Sequence, residues 1–220
     1  MRPFLHSVQE LVAVRAPFPH PDAVPDSVRE AKKRETRRAL SGAAIRLATD
    51  RGLHGFTVEE VAAEAGVSPR TFFNYFRSKE AAIIGLDEDE LIAICAELEG
   101  RPADEGPVDA LAATLIPHGA ALTEEAAAFA LRNKLLERYP ELLPQRMAVH
   151  HQTEAALTAA LARRLGASPL DPYPAVVTAA TFGALRAATE WHQRVQPPQP
   201  LSASLCDAAE LVARGLGVRS

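Results

Sequence analysis

The sequence predicts an all-α protein in which a small N-terminal helix-turn-helix unit precedes a larger helical body. Apolar residues make up 47% of the 220 residues, which is enough for two cores. Only 5% of the residues are aromatic, and no run alternates apolar and polar residues for long enough to form a convincing strand. Ala and Leu are abundant and recur at helical spacing, so we expect helices throughout.

Residues 1–28 are predicted to form an extension. Residues 4–14 fit a short amphipathic helix, which cannot continue through the four prolines that follow, Pro17, Pro19, Pro21 and Pro25. A mobile arm, a clasp on a partner subunit and a segment without a role all fit this pattern. Polar residues interrupt the apolar patch and no small-residue cleavage site follows, so we do not expect a signal peptide. With no stretch apolar enough to span a membrane, we expect a cytoplasmic protein.

A first helix is predicted from Arg29 to Gly52. Its apolar residues fall on one face, and glycine is common just after a helix end. Its first ten residues contain two glutamates and six cations, namely Arg29, Lys32, Lys33, Arg34, Arg37 and Arg38. A solvated helix face and a phosphate-binding surface explain this run equally well.

The formal net charge of −4 conceals a basic segment. Residues 28–80 contain 11 Lys or Arg and 7 Asp or Glu, so this segment carries +4 and the rest of the chain −8. A cluster of cations in an otherwise acidic chain is typical of proteins that bind nucleic acid.

Two short, capped helices are predicted next. Thr57 and Glu60 have the spacing of a capping box, and Gly66 ends the helix that they begin. Ser68 as N-cap and Pro69 at the first helical position then begin a third helix. A helix, a tight turn with glycine and a second helix are the sequence form of a helix-turn-helix.

The third helix is predicted to have an apolar and a polar face. Phe72 and Phe76 are four residues apart, so both should face the core. The opposite face then carries Arg70, Thr71 and Asn74. Arginine pairs with guanine, asparagine with adenine, and threonine with phosphate or a thymine methyl group. We therefore expect a base-contacting face, with an ordinary polar surface as the alternative.

Ser78 is predicted to cap a fourth helix that continues to Gly100. Lys79 occupies its first position, where a cation opposes the positive end of the helix dipole. A phosphate placed there would meet both the ammonium group and free backbone N–H groups. Lys79 is therefore a candidate phosphate contact. The acidic residues 87–90 point in different directions on a helix, so we expect a solvated surface rather than a site.

One contiguous pattern connects these elements: Thr57-Val58-Glu59-Glu60-Val61-Ala62, Gly66-Val67-Ser68, Thr71-Phe72, Tyr75-Phe76 and Ser78-Lys79-Glu80. Over about residues 35–85 the chain resembles the TetR family of transcription regulators. The resemblance implies a DNA-binding domain of three helices at 29–80, a fourth helix that connects it to an effector domain, and a homodimer on a palindromic double-stranded operator.

The family pattern also implies roles for single residues. Thr57, Tyr75 and Lys79 would hold the DNA backbone, and the third helix would contact bases. Phe73 stands where the family commonly has tyrosine, so it lacks a hydroxyl contact and is expected to touch a sugar or a thymine methyl group. The candidate DNA contacts are Thr57, Ser68, Arg70, Thr71, Phe73, Asn74, Tyr75 and Lys79.

Residues 81–220 are predicted to form a helical domain for ligand binding and dimerisation. Proline and glycine signals separate helices at 107–120, 123–138, 140–165, 173–195 and 201–216. In proteins that this chain resembles, the last two helices pair with their twofold mates, and burial inside one subunit is the competing explanation. Both helices are rich in small or apolar residues, namely Val176, Val177, Ala180, Gly183, Ala184, Ala187, Leu205, Ala209, Leu211 and Val212.

A ligand pocket is expected among the middle helices. Its candidate residues combine apolar bulk with polar groups, and ordinary core positions are the alternative for each: Phe129, Tyr139, Met147, His150, Thr181 and Trp191. The histidines lack the spacing of metal ligands, so no metal or other cofactor is expected. Cys95 and Cys206 are expected to be free, buried thiols.

The leading hypothesis is a dimeric repressor that leaves its operator when an unknown small-molecule effector binds. A DNA-binding regulator or activator without an effector and a non-enzymatic helical scaffold are the alternatives. The sequence has neither a nucleophile–base pair nor a metal motif, so we do not expect an enzyme.

Overall fold

The computed structural model describes residues 28–85, 88–124, 126–168, 170–197 and 199–215. The fold is all-α, as predicted, and every regular element in these ranges is a helix. In chain order the helices are α1 Val28–Arg51, α2 Val58–Glu64, α3 Pro69–Phe73, α4 Lys79–Ile84, α5 Glu88–Glu99, α6 Pro107–Glu124, α7 Ala126–Arg138, a 3-10 turn Pro140–Leu142, α8 Leu143–Leu165, α9 Tyr173–Val195 and α10 Leu201–Ala213.

The predicted helices of the C-terminal half are confirmed to within a few residues at each end. Residues 1–27, where we predicted an amphipathic helix and a proline-rich linker, lie outside the described ranges. None of the helices within those ranges is long and apolar enough to cross a bilayer.

The described residues cluster into two compact units. The first unit contains the residues up to Glu88 together with 126–150, and the second contains 89–124 with those from His151 onward. The domain boundaries at residues 28 and 80 stay a prediction. The core of the first unit unites α1 with the short helices α2 to α4 and with α7, through buried residues that include Leu40, Ile45, Val61, Phe72, Ile83 and Leu135.

The three predicted N-terminal caps are present. The Thr57 hydroxyl accepts from the Glu60 amide while the Glu60 carboxylate accepts from the Thr57 amide, which completes a capping box at α2. The Ser68 hydroxyl accepts from the Thr71 amide at α3. Ser78 caps α4 in the same way. These short helices therefore begin where their own side chains satisfy the first backbone donors.

The prediction of one continuous fourth helix from Ser78 to Gly100 is wrong. The first part, α4, ends at Ile84 because Gly85 has a φ of +75°, which a right-handed helix cannot contain. The Arg132 side chain donates to the Ile83 carbonyl oxygen at 2.7 Å and so satisfies the helix end. The positive φ strains any residue other than glycine here, and a Cβ atom would also lie 3.0 Å from the Arg132 guanidinium. The chain resumes helix at Glu88.

The second unit contains two apolar clusters. In the first cluster α5, α6 and α8 contribute Leu98, Leu111 and Leu157, with Val177 of α9 packed against them. The second cluster joins α6, α9 and α10 through residues such as Ile116, Leu185 and Leu205. Cys95 and Cys206 are free thiols, as predicted, but only Cys95 is buried, whereas Cys206 is half-buried. Burial raises the pKa of each. Leu115 of α6 packs against both clusters and connects them.

His118 of α6 lies between two carboxylates of α5. Its ring nitrogens are 3.7 Å from a Glu90 carboxylate oxygen and 3.2 Å from a Glu97 carboxylate oxygen. These two groups raise the pKa of His118 from 6.5 to about 9. The protonated imidazole therefore ties α5 to α6 at neutral pH.

His118→Gln is expected to flatten the pH dependence of stability. Because the pKa is raised in the folded state, the ion pairs stabilise the native protein fully below about pH 6.5, and this contribution is lost as the pH rises towards 9. Urea unfolding midpoints across this range should fall more steeply for the natural protein than for the variant. His151→Gln, at an exposed position of α8, is the control. Parallel profiles for the natural protein and His118→Gln would contradict the assignment.

Candidate DNA-binding site

Helix α3 buries one face and exposes the other. Phe72 is fully buried and Phe76 is 5% exposed, whereas Phe73 is 56% exposed. Arg70 and Asn74 are exposed as well. The apolar face of α3 therefore packs into the core of the first unit, as predicted, while its opposite face presents a guanidinium group, an amide and an aromatic ring to solvent.

The N-terminus of α3 carries two hydroxyl groups that contact each other. The Ser68 and Thr71 hydroxyl oxygens are 2.9 Å apart, and Ser68 also accepts from the Thr71 amide. Ser68 is exposed and Thr71 is half-buried. The Ser68 hydroxyl thus has two contacts and the Thr71 hydroxyl one. A hydroxyl has one donor and two acceptor sites, so each retains capacity for a further hydrogen bond.

Lys79 has a partner that the sequence did not predict. Its ammonium group donates to the Phe56 carbonyl oxygen at 2.8 Å and lies 4.5 Å from the centre of the Phe56 ring. These contacts compensate the cation at the start of α4, where the helix dipole opposes it. They also place Lys79 beside Thr57, the exposed residue that begins α2. An ammonium group has three donors, so two remain for a phosphate.

Ion pairs fix α2 against α1. Arg51 donates to the Glu60 carboxylate at 2.6 Å, and Arg46 pairs with Glu64 at 2.8 Å. The hydrogen bond from the Thr57 amide lowers the pKa of Glu60 most, and the contact with Arg51 lowers it further. Both pairs are exposed, so they contribute more to orientation than to stability.

Arg37 of α1 contacts two aromatic rings, which the sequence did not predict. Its guanidinium carbon lies 5.8 Å from the centre of the Tyr75 ring and 5.0 Å from that of Phe76. Lys33 and Arg34 lie one helical turn earlier and are exposed. The basic run of α1 therefore reaches the aromatic residues that follow α3 through Arg37. The run itself was visible in the sequence, but its aromatic partners were not.

The second unit exposes apolar side chains along α9. Val176 is 63% exposed, Trp191 is 42% exposed, and Ala180 and Ala187 between them are also exposed. Their spacing places them along one side of the helix. A row of small side chains flanked by larger apolar ones permits a second helix to pack closely, so this face fits a subunit contact.

The predicted ligand-pocket residues fall in both units. Tyr139 packs against the core of the first unit. In the same unit, Met147 of α8 is exposed and His150 is half-buried. In the second unit Thr181 is fully buried and Trp191 is exposed. The side chain of Phe129 lies outside the described residues. Thr114 and Thr178 are also fully buried and were not among the candidates, although the i, i+3 spacing of Thr178 and Thr181 could have indicated a shared face.

Comparison with known proteins identifies the family. Residues 41–83 match the family model described as bacterial regulatory proteins of the tetR family, and residues 105–217 match the MftR C-terminal domain. The chain belongs to the TetR family. This confirms the resemblance found in the sequence, and a TetR-family protein is a DNA-binding transcriptional regulator.

Individual TetR-family relatives agree with this placement. The regulator TcmR of Streptomyces glaucescens is 31% identical over 179 residues, which cover 76% of this chain and 77% of TcmR. The putative mycofactocin biosynthesis regulator MftR of Mycobacterium tuberculosis is 26% identical, over 88% of this chain and 98% of its own. The structure of the fatty acid degradation regulator FadR of Bacillus halodurans superposes with a TM-score of 0.54 at 20% identity, covering 84% of this chain and 97% of that one.

Proposed function

We propose that this protein is a dimeric, cytoplasmic repressor that binds a palindromic operator through α3 and leaves it when a small molecule binds the C-terminal domain. The exposed face of α3, with Arg70 and Asn74 outward and Phe72 buried beneath them, is the observation that carries the proposal. TetR-family regulators bind operator DNA and small-molecule ligands and act as dimers. Residues 29–80 are assigned to DNA binding and residues 81–220 to dimerisation and ligand binding.

Each exposed group at the helix-turn-helix is assigned a role. Arg70 and Asn74 contact base edges in the major groove, and Phe73 packs against a sugar or a thymine methyl group. The hydroxyls of Thr57, Ser68 and Thr71, with Tyr75 and Lys79, hold phosphates and so position α3. The Lys79 contact with Phe56 supports this role because it places the ammonium group beside Thr57.

Dimerisation is assigned to α9 and α10. The exposed apolar side of α9 supports this assignment, because a second subunit would remove Val176 and Trp191 from water. In such a dimer the two α3 helices would lie about 34–36 Å apart, one turn of the duplex. Effector binding would change that separation and weaken the operator complex.

Lys79→Ala is expected to weaken binding to all DNA sequences equally. A phosphate contact adds affinity without sequence preference, so its loss should lower the slope of log affinity against log salt by about one per contact. Fluorescence anisotropy at several salt concentrations measures this slope. Lys134→Ala removes an exposed cation from α7 and is the control. An unchanged slope for Lys79→Ala would remove Lys79 from the interface.

A reporter strain tests the sign of regulation and the need for an effector. Expression from the bound promoter should rise when the gene is deleted and fall again when the natural chain is restored, but not when Arg70→Ala/Asn74→Ala is produced at the same level. Expression that falls on deletion would instead assign an activator. If no small molecule changes the operator binding of the natural protein, a regulator without an effector is favoured. If the natural protein binds no DNA, a scaffold is favoured.

A further inference from the structure

Three threonine hydroxyls are buried in the second unit without a hydrogen-bond partner among the described residues. Thr114 of α6 and Thr178 and Thr181 of α9 are each fully buried. Leaving a buried hydroxyl unpaired is costly, and groups left so in a native protein call for an explanation such as a bound molecule.

Helix geometry does not account for these unpaired hydroxyls. A threonine within a helix can donate to the carbonyl oxygen four residues earlier. Thr189, also on α9, does this by donating to the Leu185 carbonyl oxygen at 2.9 Å. Thr178 and Thr181 make no such bond on the same helix. Their hydroxyls are therefore available to a partner that the described residues do not supply.

The three threonines occupy buried positions on two helices of the second unit. Thr178 and Thr181 share the buried side of α9 with Pro174 and Leu185, at i, i+4, i+7 and i+11 spacing. Their neighbours Val177 and Leu185 belong to the two different apolar clusters. Thr114 follows the buried Ala110 and Leu111 on α6, a helix that packs against α9. All three threonines are therefore buried on two helices that pack against each other.

The neighbouring side chains restrict the chemistry of a ligand. Among the described residues of the second unit, the polar side chains that are buried as a whole are Thr114, Thr178, Thr181 and Ser204, all of them neutral hydroxyls. The Nε atom of Arg164 is also buried, and the guanidinium group of this residue donates to the Pro102 and Glu105 carbonyl oxygens. Ser204 is already paired with His192 at 3.0 Å. A charged group brought into this interior would lose its hydration without gaining an opposite charge. A neutral oxygen atom, in contrast, can accept from or donate to the threonines.

We propose that the interior between α6 and α9 binds a neutral, largely apolar molecule whose oxygen atoms hydrogen-bond to Thr114, Thr178 and Thr181. The inference rests on the proposed function, because this molecule would be the effector, and it adds the chemical class of that effector. Charged ligands of the same size are excluded from the site by the cost of desolvation.

Two matched series of compounds test the chemical class. The linear series is 1-decanol, decane and decanoate, and the ring series is 2-naphthol, naphthalene and 2-naphthoate. Near pH 7 each alcohol should raise the thermal unfolding midpoint of the natural protein more than its parent hydrocarbon, and each carboxylate should have the smallest effect. The proposal is overturned if neither alcohol binds, or if hydrocarbon or carboxylate of the same series binds as well as the alcohol.

Threonine substitutions test the site. Thr114→Val, Thr178→Val and Thr181→Val keep the side-chain shape and remove the hydroxyl, so each should be at least as stable as the natural protein without a ligand yet bind the alcohol about tenfold more weakly. Thr181→Ser keeps a hydroxyl and should retain the preference for alcohol over hydrocarbon. Thr189→Val, whose hydroxyl is already paired, is the control. An alcohol preference that survives all three valine substitutions overturns the site.

Operator binding of the natural protein, with and without the alcohol, separates this inference from the proposed function. If the alcohol binds through the threonines but leaves operator affinity unchanged, the site is supported and release by an effector is contradicted. If the protein binds its operator but shows the expected preference in neither compound series, the assignment as a regulator is supported and the site is overturned.

Discussion

Phe72→Ala is expected to lower the free energy of unfolding by about 3–5 kcal/mol, the range for truncating a buried phenylalanine. Phe72 is fully buried and lies 5.9 Å from the Phe76 ring centre in the core that joins α1 to α4. Removing the ring would leave a cavity beneath the base-contacting face. Urea unfolding followed by circular dichroism measures the loss.

The neighbouring residue provides the matched control. Phe73 is 56% exposed and makes an edge-on contact with Phe72, at 5.5 Å between ring centres. Phe73→Ala should therefore cost about 1 kcal/mol or less of stability. Its effect should appear in DNA affinity instead. Similar losses of stability for the two variants would contradict the orientation of α3.

Arg70→Ala is expected to weaken operator binding by about 1–3 kcal/mol, roughly 5- to 150-fold, and to relax the preference at one base pair. The expected cause is loss of a bidentate contact with guanine from an exposed side chain of α3. Binding to the operator and to each single-base variant of it, measured at one salt concentration, shows both effects. Asn74→Ala should relax a different base pair.

The pattern across base pairs decides between base and phosphate contacts. If Arg70→Ala weakens every operator variant by the same factor, Arg70 holds a phosphate, and its assignment to base recognition is wrong. Lys79→Ala is the comparison, because a uniform loss is the expected result for that residue. The stability of Arg70→Ala and of Asn74→Ala without DNA should stay within about 0.5 kcal/mol of the natural protein, because both side chains are exposed.

Local chemistry made the helix-turn-helix predictable from sequence. The Thr57–Glu60 capping box, the Ser68 cap and the burial of Phe72 depend on residues three or four positions apart. Such short spacings determine geometry before any tertiary contact forms. The exposed face of α3 followed from the buried one. These elements are also the ones that carry the family pattern.

Contacts between residues far apart in sequence could not be predicted. Arg132 satisfies the end of α4 from a position 49 residues away, and Lys79 reaches the Phe56 carbonyl 23 residues earlier. Gly85 was visible, but a glycine inside an apolar run indicates a helix end only when its φ is known. The pocket residues were chosen by type, and burial separated Thr181 from the exposed Met147.

Selection of bound duplexes from a random pool tests the central claim most directly. A dimer that presents two α3 helices one duplex turn apart should enrich a palindrome whose half-sites are centred about 10 base pairs apart, or a multiple of that distance. The Arg70→Ala/Asn74→Ala variant, selected in parallel, should enrich it weakly or not at all. An enriched sequence without twofold symmetry, or no enrichment by the natural protein, would contradict a dimeric, sequence-specific regulator.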